Sequence, residues 1–143
     1  SDYLERLTQN LIHSYSNLTT GVELITKLDD VHINLKQAIP CGLIVNELVS
    51  NCLKYAFKGM SSGKIYLRVQ RVGANIEIQV ADNGVGLPED FDFETNESLG
   101  VYLVQALTDQ LDGSLIVDNK HSDNALEWTT GASFLVSFTP LTD

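Results

Sequence analysis

Apolar residues recur along the chain at spacings of two, or of three and four, and each spacing predicts an element. In the opening stretch YLERLTQNLIHSY, Leu4, Leu7, Leu11 and Ile12 stand at helical spacing with polar residues between them, which predicts a helix with one apolar face. VELITKL at 22–28 is rich in β-favouring residues and predicts a strand. Asp29 and Asp30 read as a turn into a second extended piece over 31–34, forming a hairpin edge. The longest helical pattern runs from about 37 to 57, through AIPCGLIVNELVSNCLKYAF. Pro40 is tolerated there only near the helix start, because it has no N–H for an interior turn. Gly59 is placed to end the helix.

KIYLRVQRV and NIEIQVAD alternate apolar and polar residues around a Val72-Gly73-Ala74-Asn75 turn, the pattern of a β-hairpin with one buried face. Ser98 can cap a helix from Leu99 to about Leu111, which Gly113 stops. Residues 114–119 and 133–139 add two further strands around a polar loop that contains Trp128. This order predicts an α+β fold, a two-layer α/β sandwich with helices on one face of a mixed, mostly antiparallel sheet.

The 143 residues suit one domain with a real core. No stretch approaches the roughly 18 to 20 apolar residues of a membrane span, and the N-terminus lacks a signal-peptide pattern. The expected location is therefore cytoplasmic. A formal charge of −10, from nine basic and nineteen acidic residues, opposes nucleic-acid binding, so no nucleic-acid partner is expected. It does not oppose a nucleotide, whose charge can be met locally by a metal, a lysine and backbone N–H groups. Cys41 and Cys52 lie about 16 Å apart on a helix rising 1.5 Å per residue. That separation forbids a disulfide, and both read as small buried hydrophobes.

On a helical wheel, Val45, Leu48, Val49, Cys52, Leu53 and Ala56 form the core side of the long helix. Glu47, Asn51 and Lys54 share another stripe, with Tyr55 beside them. A carboxylate, an amide oxygen, an ammonium and an aromatic ring facing one space suit a magnesium nucleotide, since Mg²⁺ takes hard oxygen ligands and keeps several waters. Taken alone, the stripe is suggestive only, since most polar helix stripes are ordinary solvated faces.

DNGVG follows directly from a strand, and Gly84 and Gly86 let the backbone turn sharply and approach a ligand. Asp82, acceptor-only when ionised, matches the exocyclic amine of adenine and opposes the carbonyl that guanine presents there. The competing reading is a simple Asn-Gly turn. Twelve residues, a short lid, separate Gly86 from Leu99. The helix opened by Leu99 and Gly100 then presents its N–H groups, which suits a triphosphate. Alternatively, Gly100 serves close helix packing without a ligand.

In this order, NELVSNCLKYAF, DNGVG, SLGVYLVQAL and GASFLVSF resemble the motifs of the GHKL ATPase superfamily, and within it the catalytic domains of histidine kinases. The resemblance covers roughly residues 35–140. The short lid is similar to that of phytochrome-like and light-sensing kinases, and the opening helix resembles the end of that subgroup's dimerisation helix. The resulting division is 1–16, the end of the dimerisation helix and linker, and 17–143, the ATP-binding catalytic domain.

The resemblance implies the Bergerat fold with ATP and Mg²⁺ as cofactors. Asn51 would coordinate Mg²⁺, and Glu47 would help activate the attacking group. Lys54 would contact phosphate and Tyr55 would lie along base or ribose. Asp82 would bind the adenine amine, Gly84 and Gly86 would shape the pocket floor, and Leu99 with Gly100 would form the phosphate side. The implied partners are a histidine-bearing dimerisation domain of the same protein and the receiver domain of a response regulator, with a homodimeric full-length parent. Many relatives carry Gly-Thr in the last motif, the threonine helping to hold a water shared with the adenine-binding aspartate. Here Gly131 is followed by Ala132, with Thr130 and Ser133 as the neighbouring hydroxyls.

His13, His32 and His121 lie in no segment like the acceptor motif. The expectation is a chain that binds ATP without efficient autophosphorylation, the acceptor histidine lying upstream. Two other readings stay open at this point: an anti-sigma-factor-type serine kinase of the same superfamily, and a non-catalytic nucleotide-binding signalling module.

Overall fold

The structure, a computed structural model, describes residues 10, 13, 21–29, 31–57, 59, 62–85, 99–118 and 131–141. Among the described residues, five strands form one sheet in the order β1-β2-β3-β5-β4. They are β1 (Val22–Leu28), β2 (Gly63–Val72), β3 (Asn75–Asp82), β4 (Ser114–Asp118) and β5 (Ser133–Phe138). Two helices, α1 (Leu35–Asn51) and α2 (Leu99–Gln110), pack against one another. β1 runs parallel to β2, and every other pairing is antiparallel. This is the mixed α+β sandwich that the pattern predicts.

Strand alternation decides which side chains meet the helices. Ile65, Leu67 and Val69 of β2 share a face with Ile76, Ile78 and Val80 of β3 and with Phe134, Val136 and Phe138 of β5. All belong to the buried core, together with Cys41, Ile44, Val45, Leu48 and Val49 of α1 and Val104 and Leu107 of α2. The opposite face carries polar pairings. There the Arg68 guanidinium donates to Glu77 at 3.0 Å and to Gln79 at 2.9 Å, and Gln79 Nε2 donates to Ser133 Oγ at 2.9 Å.

The hairpin between β2 and β3 closes on the pair Val72↔Asn75, with Gly73 at φ 60°. A glycine with positive φ at the first central position matches the twist of the flanking strands.

Several local expectations are corrected. Residues 31–34 form no strand, and β1 pairs not with a hairpin partner but in parallel with β2, Val22 opposite Gly63. A parallel neighbour requires a long crossover, and α1 supplies it. The helix begins two residues earlier than expected, at Leu35, because Asn34 caps it: Asn34 Oδ1 accepts the Lys36 N–H at 2.9 Å. Pro40 consequently lies inside α1. At the end of α2, Asp112 rather than Gly113 takes the left-handed conformation, φ 51°. Gly113 serves a different purpose, since a Cβ there would sit 2.6 Å from the Ser137 carbonyl oxygen of β5.

Asn10 and His13 are helical. The rest of the expected N-terminal helix, the Ser98 cap, His121 and the Trp128 loop lie outside the described residues. No described helix is long and apolar enough to cross a membrane.

Candidate nucleotide site

The long helix does not keep one geometry to its end. α1 stops at Asn51 and continues as a π-helical turn, Cys52–Ala56. Such a turn bonds i to i+5 and is found disproportionately at functional sites. Glu47 and Asn51, both half-buried, lie one α-turn apart on the same stripe, as the wheel predicts. Lys54 and Tyr55 belong to the π turn and are exposed. Each residue of a π turn advances by less than an α residue, so Lys54 falls behind the line through Glu47 and Asn51.

The end of the π turn is tied to the glycine loop. Helix termini leave their last carbonyls without intrahelical donors, and the Ala56 carbonyl is served by the Val85 N–H at 2.8 Å. Gly84 lies so close that a Cβ built on it would fall on the Ala56 carbonyl oxygen. The first glycine of DNGVG is thus required by approach to the Asn51-bearing element. A plain Asn-Gly turn would not need it. Asn83 anchors the loop to β2, its Oδ1 accepting the Lys64 N–H at 2.7 Å and its N–H donating to the Lys64 carbonyl at 3.2 Å.

Asp82 closes β3 and is only 2% exposed. A buried carboxylate must be hydrogen-bonded. Oδ1 accepts the Gly84 N–H at 2.9 Å and the Ala132 N–H at 3.4 Å, and Oδ2 accepts the Cys52 thiol at 3.4 Å. From β5's side, Gly131 adopts φ 118°, and a Cβ there would overlap the Asp82 carbonyl oxygen. The Ala132 carbonyl in turn accepts the Asp82 N–H at 3.0 Å. Asp82 therefore sits at the meeting point of the Asn51 helix, the DNGVG loop and the Gly131-Ala132 corner. Three motifs distant in sequence converge on one carboxylate.

Two contributors to this convergence escaped the sequence reading. Cys52 was grouped with the core, and it is buried, but its thiol points at Asp82. Burial, and then the neighbouring Asp82 carboxylate, raise the Cys52 thiol well above the ordinary range, so it stays protonated and donates. Its place directly after Asn51 was the only available signal. Gly131 was noted as part of the last motif, yet its close approach to Asp82 has no local signature. Of the remaining expected site residues, Leu99 and Gly100 open α2, and Gly86 lies outside the described residues.

Residues 36–142 match the family of histidine kinase-, DNA gyrase B- and HSP90-like ATPases, and the chain belongs to that family. It is a histidine-kinase-type catalytic ATP-binding domain, homologous to sensor histidine kinases. It is 30% identical over 116 residues to the blue-light-activated histidine kinase 2 of Erythrobacter litoralis, a match covering 80% of this chain and 33% of that protein. It is 36% identical over 75 residues to the sensor histidine kinase PdtaS of Mycobacterium tuberculosis, covering 51% of this chain and 15% of PdtaS. Among solved structures, a histidine kinase domain of a blue-light activated kinase from Erythrobacter litoralis superposes with a TM-score of 0.84 at 26% identity, covering 97% of this chain and 60% of that one. The chain thus spans a third or less of the curated relatives' length.

Proposed function

We propose that this chain binds Mg-ATP at the convergence around Asp82 and transfers the γ-phosphoryl group to a histidine on a dimerisation domain, from which it passes to a response-regulator aspartate. The observation that carries the reading is the buried Asp82 carboxylate, held by Gly84, Ala132 and Cys52 at the junction of three motifs. A fixed, acceptor-only group in a dry site distinguishes a purine bearing an amine from one bearing a carbonyl.

The residues fit the nucleotide in order from base to phosphate. Asp82 takes the adenine amine, Tyr55 lies along the base or ribose, and Lys54 meets phosphate. Asn51 would offer its amide oxygen to a magnesium ion, which would supply positive charge to the phosphates, and the N-terminus of α2 at Leu99 and Gly100 would form the phosphate side. Glu47 polarises the attacking imidazole. Phosphoryl transfer demands mainly positioning and charge neutralisation, which suits a site whose floor is built from backbone. Residues 1–16 are assigned to the end of the dimerisation helix that carries the acceptor domain. The family membership, the relatives' names and the helical Asn10 and His13 support this reading.

Calorimetry with Mg-ATP tests the binding step. Wild type gives a binding isotherm that Asp82→Asn weakens by about tenfold or more, as expected when an acceptor facing a donor is replaced. Absence of binding by wild type overturns the proposal. Transfer is tested by supplying a dimerisation domain in trans: acid-labile phosphate forms with wild type and not with Asn51→Ala. Acid-stable phosphate would indicate a serine kinase instead.

A further inference from the structure

We infer that Cys52 is a positioning residue for adenine recognition, holding the second oxygen of Asp82 so that the carboxylate presents one fixed orientation to the base. The inference rests on the assignment of Asp82 to adenine and adds a residue to it.

Asp82 is sealed from bulk water, so its orientation is set by protein donors. The backbone donors of Gly84 and Ala132 both meet Oδ1. Oδ1 is thereby anchored by backbone. The thiol lies on the other side, 3.4 Å from Oδ2, and adds a side-chain donor at the second oxygen. Its own position is well determined. Cys52 is 3% exposed, and its N–H is held by the carbonyls of Leu48 and Val49 at the junction between α1 and the π turn.

The chemistry of the donor matters as much as its place. A thiol is a weak donor and carries no charge. It can orient a carboxylate without neutralising it, whereas a lysine or arginine there would compete with the amine of the base. The thiol's placement, 3.4 Å from a carboxylate oxygen, is that of a donor. Cys52 also follows Asn51 directly, so the residue assigned to the metal and the residue that orients the base acceptor move as one unit at the start of the π turn. The same sequence position thus links the two ends of the nucleotide.

The test separates orientation from packing. Cys52→Ala and Cys52→Val both delete the donor but change side-chain volume in opposite directions, and Cys52→Ser keeps a donor on a shorter bond. Each is titrated with Mg-ATP and with the magnesium complex of purine riboside triphosphate, which lacks the 6-amine. In wild type ATP binds more tightly than the analogue. The expected result is that Ala and Val each reduce this preference roughly threefold to tenfold, that Ser restores part of it, and that the effect disappears in an Asp82→Asn background. Equal loss for both nucleotides, or an unchanged preference, overturns the inference. If one apolar variant fails to fold by circular dichroism, the other carries the same comparison. If Asp82→Asn leaves the preference for ATP untouched, the assignment of Asp82 itself fails, an outcome distinct from a silent Cys52 beside a sensitive Asp82.

Discussion

The Val85 N–H donates to the carbonyl oxygen of Ala56 at 2.8 Å, so the glycine loop serves as the cap of the π turn. The π turn that ends the long helix and the loop at the end of β3 are one mechanical unit. A change at either should be felt at the other.

Gly84→Ala checks this coupling. Its Cβ would meet the Ala56 carbonyl, a backbone group that has no rotamer by which to yield. The expected outcome is a stability loss of about 1–3 kcal/mol together with weaker Mg-ATP binding. Urea unfolding and calorimetry read the two effects. Wild-type affinity in a stably folded variant would show that loop and helix are independent.

Gly131→Ala meets two obstacles at once, the φ of 118° and the overlap with the Asp82 carbonyl. Left-handed strain of about 1–3 kcal/mol applies to Gly73→Ala as well, so it is the overlap that should make the melting temperature fall further for Gly131→Ala. At Gly73, φ is 60° and an added Cβ meets nothing within 4 Å. Thermal melts of the two variants side by side decide it.

Gln37 shows a purely structural role by comparison. Its amide is buried, accepting the Leu141 N–H at 2.8 Å and donating to the Thr139 carbonyl at 3.1 Å. It thereby fastens the chain after β5 to the first turn of α1. Gln37→Ala removes both bonds, costing about 1–3 kcal/mol. Mg-ATP affinity, measured well below the melting temperature, should not change.

Alkaline pH should destabilise the fold through its thiols. Burial pushes Cys41 from 9.0 up to about 12, and Cys52 is raised in the same direction. Between these limits the unfolded chain releases protons that the folded chain retains. The stabilisation is therefore complete below pH 9 and is lost progressively as pH rises from there through the folded values. Urea midpoints from pH 8 to 11 should fall less steeply in Cys41→Ala than in wild type. Parallel slopes would place the thiol outside the transition.

Much of the fold was legible because it rests on short periods. The alternation in KIYLRVQRV and NIEIQVAD predicts β2 and β3, and the apolar side of the long helix is correct from Val45 to Leu53, across α1 and into the π turn. The misreadings share a cause. Asn34 is a recognisable cap, but Pro40 suggested a later start, and the wheel could not show that the helix becomes a π turn after Asn51. Asp29-Asp30 suggested a hairpin because a turn signal says nothing about which strand will be the neighbour.

The site divides along the same line. The residue types were determined by the sequence alone: an Asn one turn after a Glu, an Asp heading a glycine loop, a glycine near the last strand. Their order was enough to place the chain in its ATPase family. What tertiary structure decided is how these residues meet. β1 lies beside β2 only because α1 crosses between them, Ala56 accepts from Val85, and Cys52 reaches Asp82 across a sequence separation of 30 residues. Local spacing governs only groups within a turn or a hairpin of one another. Contacts over longer separations follow from how buried faces pack, and that packing turned a cysteine read as core into a hydrogen-bond donor.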